Sequence, residues 1–398
     1  MKRVLLYCLF LLLYVLNSFN PNMMEQYFKF AHYNIFGTIL RFILSFSFIL
    51  MPLALMYKNE SAKSIISFLV FPSSTLSLIF ISDIVFHVKH KIYFIIIYVL
   101  LIFLIITYSL YLIYKKEVSL TKNIFKLLFT TFILSLPLNL LMNIKDHKFL
   151  MYRMFQSWYF VFLILFILSA IIIYYYLKNK SKEKQELVLF ILSITLLYHL
   201  LCRFSFVRLH HYQDINDVFG ALPLYVCSFG IVLLPFSICS KNKLLQTFSF
   251  LINTPGSIIV FVNPTMGVAN IFNYDVTYFI YTHLGLFAVA SMLPIYLYAK
   301  LDLKLVTTSC LCMFAYFFIV LGLDFIFFKI CHKNYNFSFV AVPPLPVDVK
   351  HFGLLNLKDY KFSPLYILIL WAIHSLMAFV TFYVYDFFVL KNKKPINY

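Results

Sequence analysis

The chain has 398 residues, of which 63% are hydrophobic and only 12% are charged, and its net charge is +18. A soluble domain is roughly half apolar and a quarter charged, so the composition excludes an ordinary soluble domain. The basic residues are scattered over short segments between apolar stretches and are not gathered on one polar surface, so they do not indicate a nucleic-acid partner.

Apolar stretches close to the length of a membrane span recur along the whole chain. They lack the short alternating pattern of a membrane β-barrel, so closed helices are the structure that satisfies their backbone in lipid. We therefore predict an all-α polytopic membrane protein with about 12 transmembrane helices. The predicted spans are 4–19, 38–57, 64–86, 92–114, 124–142, 157–177, 187–204, 220–238, 244–262, 276–298, 305–328 and 364–389.

The first span is short and follows Lys2 and Arg3, so a signal peptide is the alternative interpretation. No small-residue cleavage site follows it, and a similar helix recurs at 187–204. We therefore predict that it is the first membrane helix.

The second half of the chain repeats the first. At a shift of 183 positions, 36–74 matches 219–257 with 10 identical pairs in 39 positions, including two prolines and a Lys-Asn pair. We predict two parallel six-helix repeats, 1–180 and 181–398, inserted with the same orientation. Leu44 and Leu100 stand in the first copy where the second has Cys227 and His283, which indicates that the first copy is degenerate.

The distribution of positive charge predicts the orientation. With the N-terminus inside, 19 Lys and Arg residues lie in cytoplasmic segments, against 13 outside and Arg41 near a helix end. Both termini are therefore predicted to be cytoplasmic, in a multi-pass protein of the cell membrane. The charge also favours attraction to anionic lipid headgroups.

The seven cysteines are odd in number and mostly lie in predicted spans. Neither a disulfide framework nor a zinc spacing emerges from their positions. We accordingly predict no metal and no cofactor.

Polar residues fall at one depth in the second copy. Cys227 and His283 each lie seven residues into a predicted helix that enters from the outer face, while Asn253, Thr254 and Asp324 lie near the outer ends of theirs. Polar side chains at such depth usually face the interior of a helix bundle and often mark function. We predict that these five residues share one band of the outer leaflet.

Nucleophilic acyl transfer is the chemistry that this set favours. A thiol needs a neighbouring base, and His283 is suited to take the proton from Cys227 and later to protonate the leaving alcohol. Asn253 or Thr254 would donate to the oxyanion, helped by a helix break expected near Pro255.

Asp324 would orient the imidazole, and the ester bond of a phospholipid would be the electrophile. The alternative is that the thiol is a packing residue and the histidine a hydrogen-bonded structural group.

Five short motifs, in this order, resemble the YwaF-like bacterial integral membrane family. They are Leu222-Pro223-Leu224-Tyr225-Val226-Cys227, Asn253-Thr254-Pro255, Tyr281-Thr282-His283-Leu284-Gly285, Asn334-Tyr335-Asn336-Phe337 and Ser363-Pro364-Leu365-Tyr366. The resemblance covers about 187–390 directly.

The YwaF-like family is similar to the transmembrane protein 164 group of acyltransferases. That resemblance implies that Cys227 is the nucleophile and His283 the base, with membrane phospholipids as substrates. The chain departs from the family pattern at Tyr225, where a histidine is usual, and at Asp324, where an asparagine is common.

Two other functions fit the same composition. A transporter or lipid translocase built from two six-helix halves is one, since tandem parallel halves occur in carriers. A non-catalytic membrane scaffold is the other.

Overall fold

The computed structural model of the protein describes residues 35–78, 91–119, 123–136, 151–152, 157–211, 222–262, 269–270, 274–332, 335–339, 355–357 and 360–387. The predicted span 4–19 lies outside them. The chain divides into two compact units, which are Met1–Asp146 with Phe190–Gln213 and Phe272–Tyr278, and His147–Leu189 with Asp214–Ile271 and Phe279–Tyr398.

Helices make up nearly all of the described part of the first unit. They are α1 (Ile35–Ser45), α2 (Ser47–Tyr57), α3 (Glu60–Ile65), a π-helical turn (Ile66–Val70), α4 (Phe71–Ser77), α5 (Lys91–Tyr114) and α6 (Ile124–Leu134). A long helix, α8 (Lys182–His211), contributes its residues from Phe190 onward.

The second unit contains the other helices. They are α7 (Ser157–Leu177), the start of α8, α9 (Val226–Ser240), α10 (Lys243–Val262), α11 (Tyr274–Tyr296, from Phe279), α12 (Leu303–Cys331) and α13 (Pro364–Tyr385). Two short antiparallel pairs accompany them. These are β1 (Met151–Tyr152) with β2 (Ala269–Asn270), and β3 (Leu355–Leu357) with β4 (Tyr360–Phe362).

Long apolar helices confirm an integral, multi-pass membrane protein. Among the described residues, five helices are long and apolar enough to cross a bilayer: Ser157–Leu177, Lys182–Arg203, Val276–Tyr296, Leu303–Cys331 and Pro364–Tyr385. Large apolar side chains such as Ile164, Ile167 and Ile172 point outward from α7, as expected for lipid contact. The total of about 12 spans stays a prediction.

The helix bounds follow the predicted spans closely at 92–114, 157–177, 244–262, 276–298 and 305–328, and depart from them more elsewhere. The span 38–57 is two helices, because the backbone tightens at Phe46, whose N–H donates to the oxygen of Ile43 at 3.1 Å. The described part of the span 64–86 contains the π-helical turn. Such turns insert one extra residue into a helix.

A Lys-Asn turn has the same geometry at two places in the chain. Lys58 and Lys241 end α2 and α9 with left-handed backbone angles, φ 52° and 55°. Each is followed by an asparagine whose Oδ1 accepts a hydrogen bond three residues on, from Ala62 N at 2.9 Å and from Leu245 N at 3.1 Å. An asparagine is among the best residues for satisfying the free N–H groups at a helix start.

An apolar cluster joins four helices of the second unit and supports the region described below. Its buried members come from α9, α10, α12 and α13 and from the short 3₁₀ turn at Phe337–Phe339. They are Leu233, Phe248, Ile252, Met313, Tyr316, Phe317, Val320, Phe337 and Ile367.

Candidate functional site

Cys227 is the second residue of α9, which begins at Val226. The prediction that it lies seven residues inside a helix starting at 220 is wrong, since Leu222–Tyr225 are not helical. The reason is Pro223, which disfavours helical angles in the residue before it and cannot donate to a helix ladder. Tyr225 is extended, with φ −76° and ψ 143°.

The start of a helix is a favourable place for a reactive thiol. The first N–H groups of α9 have no partner within the helix, and the helix dipole favours negative charge at this end. Because the thiolate is the nucleophilic form of cysteine, this position of Cys227 suits nucleophilic chemistry. Its side chain is half-buried.

Two hydroxyl groups hold the segment before Cys227. The Tyr316 hydroxyl and Ser338 Oγ lie 2.7 Å and 2.6 Å from the carbonyl oxygen of Leu224, and 2.9 Å from each other. The two hydroxyl groups have one hydrogen each, so two hydrogens are shared among these three contacts. We call Tyr316, Ser338 and the Leu224 carbonyl the hydroxyl clamp.

The hydroxyl clamp lies near Cys227. The Tyr316 hydroxyl and the Cys227 thiol lie close enough to interact electrostatically. The ring of Tyr316 stacks on Phe229, with 4.6 Å between centroids. Tyr316 thus contacts α9 on both sides of Cys227 in the sequence.

The segment that carries Ser338 has a constrained backbone. Asn336 and Ser338 have φ angles of 47° and 51°, in the left-handed region that side chains other than glycine rarely adopt. Phe337 between them is completely buried, and Tyr225 packs edge-on against it at 5.8 Å. Tertiary packing therefore stabilises an unfavourable local backbone conformation, which is often found at functional sites.

Asn253 joins α10 to α9 one turn below Cys227. Its Nδ2 donates to Ser249 Oγ at 3.2 Å and lies 3.5 Å from the oxygen of Gly230. A Cβ atom at Gly230 would lie 1.8 Å from Asn253 Oδ1, so a larger residue there would require the Asn253 amide or the two helices to move. Both amide hydrogens are thus directed at other groups, which favours a packing role for Asn253.

The helix break expected near Pro255 is not present. α10 is continuous from Lys243 to Val262, with Pro255 inside it. Neighbouring helices allow a proline within a membrane helix by supplying other partners for the freed backbone group. Beside it, the buried Thr254 hydroxyl has no hydrogen-bond partner among the described residues.

His283 is buried on α11 with its tautomer fixed. Nδ1 donates to the carbonyl oxygen of Phe279 at 2.7 Å, and the Thr282 hydroxyl donates to the same oxygen at 3.1 Å. A proton on Nδ1 leaves Nε2 as the proton-accepting nitrogen of the neutral ring, as a general base requires.

Asp324 lies on α12, eight residues beyond Tyr316, and is completely buried. Its burial agrees with the predicted inward-facing position. The structure thus brings Tyr316 to Cys227 and Asn253 to the Cys227 helix. That Cys227 and His283 lie within hydrogen-bond or one-water reach stays a prediction.

Sequence reasoning missed Tyr316 and Ser338. Tyr316 is one of 30 tyrosines in an aromatic-rich chain, so its residue type carries little information. Ser338 follows directly after the Asn334–Phe337 motif, and that adjacency was the one available signal.

Loss of the hydroxyl clamp is expected to be strongly non-additive. Tyr316→Phe or Ser338→Ala alone leaves the Leu224 oxygen with one donor, so each should have a small effect on stability. The double variant leaves that oxygen without a donor and should lose about 1–3 kcal/mol of unfolding free energy. Thermal unfolding of the four proteins in a double-mutant cycle measures the coupling.

Tyr385→Phe and Ser309→Ala are matched controls for this cycle. The Tyr385 hydroxyl has no hydrogen-bond partner among the described residues, and the Ser309 hydroxyl bonds within its own helix. Strict additivity of Tyr316→Phe and Ser338→Ala would contradict the clamp.

Comparison with known proteins gives one match. Neither a curated protein nor a solved structure matches the chain. The sequence pattern of the TMEM164 family matches residues 151–383, which is more than half of the chain and includes Cys227, Asn253, His283, Tyr316 and Asp324. The chain belongs to the TMEM164 family.

Proposed function

We propose that this protein transfers acyl groups between membrane phospholipids, or hydrolyses lipid esters, through Cys227 and His283. The observation that carries the proposal is the thiol in the first turn of α9, with its preceding segment fixed by the hydroxyl clamp. The resemblance of its motifs to YwaF-like proteins and to acyltransferases of the transmembrane protein 164 group supports the same chemistry.

The first half-reaction forms an acyl-enzyme. Nε2 of His283 accepts the thiol proton of Cys227, and the sulfur attacks the carbonyl carbon of a phospholipid ester. The tetrahedral intermediate collapses with cleavage of the ester C–O bond. The leaving lysophospholipid oxygen takes the proton from His283, which leaves an acyl thioester on Cys227.

The second half-reaction transfers the acyl group. A hydroxyl of a lysophospholipid, or water, gives its proton to His283 and attacks the thioester carbonyl. Cleavage of the C–S bond yields the acylated product, or a fatty acid in the case of water. The sulfur recovers the proton from His283, so the enzyme returns to its starting state.

Oxyanion stabilisation falls to groups at the start of α9. Its first-turn N–H groups lack helical acceptors and lie beside the nucleophile, as donors to a developing negative charge must. Thr254 has a buried hydroxyl that is suited to add a further donor. Asn253 instead positions α9 through its contact with Gly230. This role differs from the predicted donation of a hydrogen bond to the oxyanion.

Asp324 and Tyr225 have supporting roles in this proposal. The complete burial of Asp324 is consistent with a group that orients other side chains, the imidazole of His283 among them. Tyr225 packs on Phe337 and so helps to hold the extended segment before Cys227.

The first half of the chain is proposed to be a degenerate copy of the second, with a division at about 180 and no role in catalysis. The shared geometry of the Lys58-Asn59 and Lys241-Asn242 turns supports it. We also propose that the protein lies in the cell membrane with both termini in the cytoplasm, as the charge distribution favours.

Trapping the acyl-enzyme tests the proposed function directly. A phospholipid analogue with a thiol-reactive acyl group is incubated with the full chain in liposomes, and the labelled peptide is identified by mass spectrometry. The label should be on Cys227 and should disappear in Cys227→Ala. Solute flux or lipid flipping that survives Cys227→Ala, without any labelling of that peptide, would favour a transporter, a translocase or a scaffold.

A further inference from the structure

Three lysine-bearing turns converge on one tyrosine at the opposite end of α9 from Cys227. Lys182 Nζ lies 4.1 Å from the centroid of the Tyr298 ring, and Lys241 Nζ lies 5.5 Å from it. Lys300 belongs to the same turn as Tyr298. We call Lys182, Lys241, Tyr298 and Lys300 the lysine–tyrosine cluster.

The backbone under the cluster is fixed by buried polar side chains. Gln246 Oε1 accepts from the N–H of Tyr298 at 2.8 Å, and the Thr247 hydroxyl donates to the oxygen of Lys300 at 3.3 Å. Both side chains are completely buried. Asp302 caps α12 by accepting from Leu305 N at 2.8 Å. The turn therefore presents its lysines from a rigid base.

Positive charge predominates at this end of the second unit. Eight lysines lie on the three turns and the adjoining helix starts: Lys178, Lys180, Lys182, Lys184, Lys241, Lys243, Lys300 and Lys304. The acidic residues of the same segments are Glu183, Glu186 and Asp302, which leaves an excess of five positive charges. Seven of the eight lysines are exposed.

A single buried carboxylate accounts for only part of this charge. Glu186 Oε2 accepts from Lys241 Nζ at 3.0 Å, and the glutamate side chain is 5% exposed. Burial lowers the pKa of the Lys241 ammonium, but the hydrogen bond that it donates to Glu186, the charge of that carboxylate and the interactions with Tyr298 together outweigh burial and leave the pKa above its usual value. Lys241 thus stays charged, and the charges of Lys182 and Lys300 are left to other anions.

We propose that the lysine–tyrosine cluster binds the phosphate of an anionic phospholipid in the leaflet at that end. Two of the three turns join helices that are long and apolar enough to cross the bilayer, so their lysines lie at the level of the headgroups. The third turn lies beside them, because Lys241 contacts the Tyr298 ring. Tyr298, like Tyr175 and Tyr176 beside Lys178 and Lys180, has the amphipathic character of residues at membrane interfaces.

The energetics favour a lipid anion at this place. Lys182 and Lys241 share one aromatic ring, and Glu186 compensates only the charge of Lys241, so a phosphate beside Lys182 and Lys300 meets positive charge that Glu186 does not compensate. Each lysine near an anionic surface adds to the attraction. The lysine stems lie along the apolar surface while their charges reach the headgroups. This site is separate from Cys227, since Cys227 is in the first turn of α9 and Lys241 follows its last residue.

The test is a lipid titration of the purified full chain in detergent micelles. Phosphatidylglycerol should raise the thermal unfolding midpoint more than phosphatidylcholine does at the same mole fraction. The variant Lys182→Gln/Lys241→Gln/Lys300→Gln should weaken the apparent affinity for phosphatidylglycerol about tenfold or more. About 0.5 M salt should weaken it in the unaltered protein as well.

Lys115→Gln/Lys116→Gln/Lys126→Gln is the matched control, because it removes the same charge from exposed lysines of the first unit. Its affinity for phosphatidylglycerol should be unchanged. Equal affinities for all three proteins, or an equal midpoint shift from inorganic phosphate alone, would overturn the proposal. If the triple glutamine variant does not fold, the exposed Lys182→Gln alone serves, with lipid retention measured by native mass spectrometry.

Discussion

Cys227→Ala is expected to abolish acyl exchange between phospholipid and lysophospholipid in reconstituted liposomes. Without the sulfur, no thioester forms, and both half-reactions are lost together. The measurement is the rate of transfer of a labelled acyl chain, with protein amount and orientation matched between the variants. Cys312→Ala, which removes another half-buried thiol, is the control and should retain activity.

His283→Ala should lower the same rate by about 10²–10⁴, the usual contribution of a positioned general base. Leu44→Ala and Leu100→Ala remove the side chains at the positions of the first half that the proposed duplication aligns with Cys227 and His283. They should leave the rate per folded molecule unchanged, although Leu44 is buried and its loss will cost stability. Transfer indifferent to Cys227→Ala would refute the proposed chemistry, whatever His283→Ala does.

Gly230→Ala is expected to cause a larger loss of stability than Gly256→Ala or Gly322→Ala. The new Cβ would lie 1.8 Å from Asn253 Oδ1, so α9 and α10 must separate or the amide must leave its place. Overpacking of this kind typically costs about 1–3 kcal/mol and occasionally more. Thermal unfolding of the purified protein in detergent measures the loss.

Gly256→Ala and Gly322→Ala are internal controls for that experiment. Apart from the neighbouring residues and the backbone of the same helix, no atom lies within 4 Å of the Cβ that either would add, so both should be neutral or stabilising in their helices. Shortening the opposing side chain should relieve the clash, so Gly230→Ala/Asn253→Ala should be more stable than Gly230→Ala alone. A Gly230→Ala protein as stable as the two controls would show that the helices do not meet at this point.

The same substitution links packing to the site. Gly230 is one turn from Cys227, so a shift of α9 would move the thiol and the clamped segment before it. Gly230→Ala is therefore expected to slow alkylation of Cys227 or acyl transfer even in the fraction that remains folded, and Gly256→Ala is not.

Hydrophobic length and local breaker residues determined much of the fold. The spans at 157–177, 244–262 and 305–328 match α7, α10 and α12 to within a few residues, since a membrane helix needs an unbroken apolar run and the flanking lysines mark its ends. The effect of Pro223 is also local: it delays the start of α9 to Val226, which the predicted start at 220 did not take into account. Pro255 was predicted to break its helix, but α10 continues through it, because neighbouring helices supply partners for the freed backbone group.

The site depended on tertiary contacts that no local pattern encodes. The sequence marks Cys227 and His283 as unusual groups in an apolar chain, and the burial of His283 and Asp324 agrees with their inward direction. Tyr316 and Ser338 meet the Leu224 carbonyl across 92 and 114 residues of chain. Helix packing decides which side chains become partners over such distances in the sequence. Nothing in the sequence distinguishes Tyr316 from the other tyrosines, of which the chain has 30 in all.

Gly230 shows the same division. Its residue type is visible in the sequence, and in a helix it would be expected only to weaken the structure. The reason for it is the Asn253 amide on another helix, which leaves no volume for a methyl group. The sequence alone thus determined that the chain forms long apolar helices of a membrane protein, because that follows from apolar length. The tertiary structure decided which polar atoms meet, because that depends on distances between helices.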